Sequence, residues 1–93
     1  MTDQDIRRIK ADCLLAIRET EQQLAMVRKA ITIVADTLGR LAKRLSTFHD
    51  FSPLSAEELK ALDGVRLTAL LQEQKDVAEK LEQLSKERHE LGI

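Results

Sequence analysis

The sequence predicts an all-α protein: a long antiparallel helical hairpin, coiled-coil-like, that dimerises into an extended four-helix bundle. Three observations carry that expectation. Apolar residues recur with a seven-residue period from Cys13 to Phe48. The chain is 43% hydrophobic and 33% charged but only 2% aromatic, with three Gly and one Pro, the makeup of long helices rather than of sheets. That one proline, Pro53, stands between two helical patterns.

With Ile17 as position a, the a series is Ile17, Leu24, Ile31, Leu38 and Leu45, and the d series Cys13, Thr20, Val27, Val34, Leu41 and Phe48. Steps of three and four put these side chains on one side of a helix, whereas a strand alternates every two residues. Ala16, Ala30, Ala35 and Ala42 widen the stripe, which suits a bundle better than a two-stranded rope. Thr2 or Asp3 is the candidate N-cap, and Asp3 and Asp5 suit the positive end of the helix dipole. Arg40, Lys43 and Arg44 suit the negative end. The first helix is therefore expected over residues 3–48, with Gly39 tolerated at an outward b position.

A loop over 49–54 follows, because Pro53 biases Ser52 away from helical geometry. Ser55 and Glu58 have the spacing of a capping box, and Leu54 and Leu59 that of a hydrophobic staple. So short a connection turns the second helix back against the first. The second helix is expected over 55–91, continuous but kinked at 63–64. There the phase set by Leu59, Leu62 and Val65 gives way to that of Leu67, Leu70, Val77, Leu81, Leu84 and Leu91. Leu91-Gly92-Ile93 reads as a frayed tail. The whole, residues 1–93, is a single helical-hairpin domain.

Ninety-three residues lie near the size at which one core is only marginally sufficient, so oligomerisation is expected to supply the remainder. Net charge is −1, but residues 1–48 carry nine Lys/Arg against six Asp/Glu, and residues 49–93 carry six against ten. Opposite signs favour the halves lying side by side, as a cue to orientation more than a source of stability.

The inventory of reactive groups points away from catalysis. His49 and His89 have no motif joining them, and one cysteine, Cys13, allows neither an internal disulfide nor a multi-cysteine metal site. Cys13 at a d position reads as a small buried apolar residue. No enzyme, cofactor, metal or small-molecule substrate is expected. The acidic start lacks the apolar core of a signal peptide, and no apolar run approaches the ~20 residues that cross a bilayer. A cytoplasmic protein without a membrane partner is the expectation.

What remains is binding of other macromolecules. Leu15, Met26 and Ile33 cluster about 140° from the centre of the heptad stripe, too far round to belong to the same seam. They are either core against a further helix or a surface for a partner helix, with Met26 as an adaptable contact. Phe51 at the turn is a further candidate anchor, unless with Phe48 it plugs the bundle end. Thr20, Gln23 and Gln74 interrupt the apolar faces and read as polar spots that fix register. The expected function is a non-enzymatic interaction module, a structural, adaptor or chaperone-like subunit, acting as a homodimer or with an obligate helical partner. The alternative is nucleic-acid binding through the basic face of the first helix, using Arg28, Lys29, Arg40, Lys43 and Arg44. In bare architecture the chain resembles small helical chaperones of secretion systems and Rop-like regulators, a likeness that carries no residue across.

Overall fold

A computed structural model describes residues 1–47 and 52–93, so Phe48, His49 and Phe51, together with what was expected of them, lie outside the described residues. The structure is 87% helical and, among the described residues, contains no strand. Among the described residues three helices follow in order: α1 (Asp3–Leu45), α2 (Ala56–Ala61) and α3 (Gly64–Leu91). The two long ones pack against each other as the arms of a hairpin.

Helix α1 starts where its sequence provides a cap. Thr2 Oγ1 accepts from the Asp5 N–H and the Asp5 carboxylate accepts from the Thr2 N–H, a reciprocal box that satisfies two groups at the helix start. Its 43 residues run unbroken through Gly39, whose position leaves nothing within 4 Å of an added Cβ. The end comes at Leu45, three residues short of the expected boundary, with the Ser46 N–H closing on Ala42 O.

Helix α2 opens on the second capping box. The Glu58 N–H donates to Ser55 Oγ, and the Ser55 N–H donates to Glu58 Oε1 at 2.8 Å. Leu54 and Leu59, spaced as a staple, both remain exposed.

The expected continuous, kinked second helix is instead two helices. Asp63 leaves helical geometry at ψ 97° and its Oδ1 accepts from the N–H groups of Val65 and Arg66, so it is the N-cap of α3. Gly64 is then the first residue of the new helix rather than the terminator of the old one. A single carboxylate that satisfies two orphan donors makes a break without a separate loop. The tail is also tied down rather than frayed. Gly92, at φ 72°, donates to His89 O while the Ile93 N–H reaches Arg88 O, the paired bonds of a Schellman ending.

The molecule is a rod of 71 × 18 × 18 Å with a radius of gyration of 20.4 Å. A compact chain of this length would have about 12 Å. The d series fixes the seam: Cys13, Thr20, Val27, Val34 and Leu41 are all buried. Cys13 Sγ lies 3.9 Å from Leu84 O, which ties the first third of α1 to the last third of α3. Thr20, 2% exposed, turns its hydroxyl onto Ala16 O at 2.7 Å, and Thr37 does the same to Ile33 O. These hydroxyls are satisfied within their own helix, so Thr20 does not fix register through a bond to its neighbour.

Candidate interaction surfaces

The a series behaves differently from the d series. Ile17 and Leu24 are buried, Ile31 and Leu38 only half buried, and Leu45 is 68% exposed. Over the same stretch burial moves to the g positions, where Thr37 is buried and Arg44 half buried. The cause is the change of neighbour. The chain that returns across the last third of α1 is the short α2, which lies on the g side, and Ala61 is buried there. Six residues cover one flank of the stripe and leave the other to solvent.

A charged clamp holds α2 in place. Arg44 Nη1 lies 3.0 Å from Glu58 Oε1, the oxygen that also accepts from the Ser55 backbone. That backbone bond, and after it the Ser55 hydroxyl and Arg44, hold the Glu58 carboxyl below its ordinary pKa against the opposing effect of desolvation.

Beside the clamp, between α1 and the start of the returning chain, is an open groove of about 260 Å³. Ala30, Ile33, Val34 and Ala61 supply apolar lining, and Arg40, Lys60 and Arg66 share its rim with Glu57.

On α3 the apolar face is mostly incomplete. Val77 is its one buried residue, while Leu67, Leu70, Leu81, Leu84 and Leu91 are half buried and Leu71 is 48% exposed. Gln74 lies half buried in the same edge.

Leu15, Met26 and Ile33 are surface residues of this chain, at 55%, 73% and 57% exposure, so no helix of the hairpin covers them. They do not act as one patch, since Ile33 belongs to the groove and Leu15 stands 18 residues from it. The basic residues divide as well. Lys29, Arg40 and Lys43 share the outer side of α1 with Asp36 among them, Arg28 points to another side, and Arg44 is engaged by Glu58.

Sequence reasoning expected two helices alone to leave much of the apolar stripe wet, but it did not identify the a positions in the last third of α1 as an uncovered part. The signal that could have found them is the phase change at Asp63-Gly64, which shifts the covering chain to one flank.

Among the described residues, no three His, Cys, Asp or Glu side chains come together as metal ligands, and no helix is long and apolar enough to cross a membrane. No family model, curated protein or solved structure matches the chain.

Proposed function

We propose that this chain is a non-enzymatic helical interaction module, a structural or adaptor subunit that completes its core only when its apolar flanks meet another helical surface. The accessible area carries this reading. The chain exposes 7389 Å², whereas a compact protein of its mass would expose about 5,400 Å². The difference of about 2,000 Å² exceeds the ~800 Å² that each partner gives up in a stable interface. Part of what stays wet is apolar: Ile31, Leu38, Leu67, Leu70, Leu81 and Leu84 are only half buried, and Leu45 and Leu71 are exposed. The nucleic-acid alternative has less beneath it, because Arg44 is spent on Glu58 and Asp36 sits within the remaining basic row.

Urea unfolding at nanomolar concentration, followed by fluorescence of a dye-labelled chain, tests the need for company. The expected result is a marginal solitary chain, below about 5 kcal/mol, near the low end for folded domains. A solitary chain stable by more than about 10 kcal/mol would remove the reason for a partner.

A further inference from the structure

Resting on that reading, we infer that the partner is a second copy of this chain, docked side by side with the first so that both turns lie at the same end of a four-helix bundle. The surface is formed by the open a flank of α1, namely Ile31, Leu38 and Leu45, and by the edge of α3 that carries Leu67, Leu71 and Ala78.

These two rows open on the same broad side of the hairpin. Arg66 lines the groove with Ala30 and Thr37 on the g side of α1, which places that side of both arms together. The edge of Leu67, Leu71 and Ala78 is turned by about 110° from Arg66 around α3, and the a positions lie on the other flank of α1 from the g positions. Both therefore face away from the groove. Because the arms run antiparallel, the last third of α1 and the first third of α3 meet at the same end of the rod, so the two rows of this surface lie beside each other.

Two side-by-side copies of a rod can share a two-fold axis along the rod, with both turns at one end, or across it, with the rods antiparallel. Charge selects between them. With the axis along the rod, α1 of one copy lies over α3 of the other. With the axis across the rod, α1 lies over α1. Residues 1–48 hold nine Lys/Arg against six Asp/Glu, and residues 49–93 six against ten, so the first arrangement sets unlike charges together and the second sets like against like.

The test uses the full chain. Light scattering at tens of micromolar is expected to give a dimer. The double variant Leu45→Glu with Leu71→Glu, both exposed in a single copy, is expected to weaken dimerisation at least 100-fold while circular dichroism stays helical. The pair Leu15→Glu with Met26→Glu, on other sides of α1, is expected to leave the dimer intact. Nitroxides at Lys43→Cys in a Cys13→Ala background are expected to lie under about 40 Å apart across the dimer, a distance set by the width of four packed helices. A wild-type monomer at 100 μM overturns the inference, as does a dimer indifferent to the first variant or dispersed by the second. A label separation approaching the 71 Å length of the rod overturns the shared-end arrangement. A monomer that is also marginally stable leaves the module reading standing with a different partner, so the two failures are distinct.

Discussion

Helices α1 and α3 are the two arms of one hairpin, yet α1 contains eight buried residues and α3 one, Val77. A pair of helices that completed each other would bury both stripes to similar depth. The difference follows from length and phase. The stripe of α1 is long and regular and receives cover from α3 along most of its length and from α2 at the end. The stripe of α3 is wider and interrupted by Gln74 and Arg88, and apart from a small contact with α2 it meets only α1, so its leucines keep one side in water. The inequality marks α3, with the uncovered end of α1, as the incomplete part of the core.

The largest expected effect is on this inequality itself. Leu24→Ala on α1 removes a fully packed side chain and is expected to cost about 2–5 kcal/mol in urea unfolding. Leu81→Ala on α3, half buried in the single chain, is expected to cost about half as much at nanomolar concentration. At micromolar concentration the two costs should converge, because a partner would complete the packing around α3. Equal costs at both concentrations would break the comparison.

Next in size is the clamp that sets the position of α2. Because the Glu58 carboxyl has a lowered pKa in the folded chain, its contribution is present above the ordinary carboxylate pKa and is lost as pH falls through the lower folded value. Acid titration below about pH 4.5 should therefore loosen α2 before α1, read as early loss of amide protection at residues 56–61. The Glu58→Gln variant should show that loosening already at neutral pH. Protection at α2 that is unchanged in the variant would show that Ala61 packing alone holds the segment.

The smallest effect is on α1 alone. Gly39→Ala adds a Cβ where nothing lies within 4 Å, in a helix interior, and is expected to stabilise by about 0.5–1 kcal/mol. It should leave the proposed dimer unchanged, since Gly39 is exposed at a b position.

Local features were legible wherever neighbouring residues decide the outcome. The box of Ser55 and Glu58 and the N-cap at Thr2 need only three residues of spacing to close; the first was readable in the sequence, and the second was narrowed to Thr2 or Asp3. The break at Asp63 was located but misjudged as a kink, because whether a carboxylate turns onto the next helix's N–H groups depends on backbone angles that a residue list does not contain. The pairing of Arg44 with Glu58 was not readable, since the partners belong to different elements and each had a sufficient local role of its own. Leu15, Met26 and Ile33 were correctly singled out as lying off the seam, but their division between the open surface and the groove depended on where the short helix came to rest.

The sequence by itself determined the helical character of the chain, the capped starts of its first two helices and the burial of the d series from Cys13 to Leu41, because capping and a seven-residue apolar repeat act along the chain within a few residues. The tertiary structure alone decided which flank of that repeat is covered. Burial of an a or g position depends on which side the returning chain takes, and a short α2 held by Arg44 and Glu58 took the g side and left Ile31, Leu38 and Leu45 open.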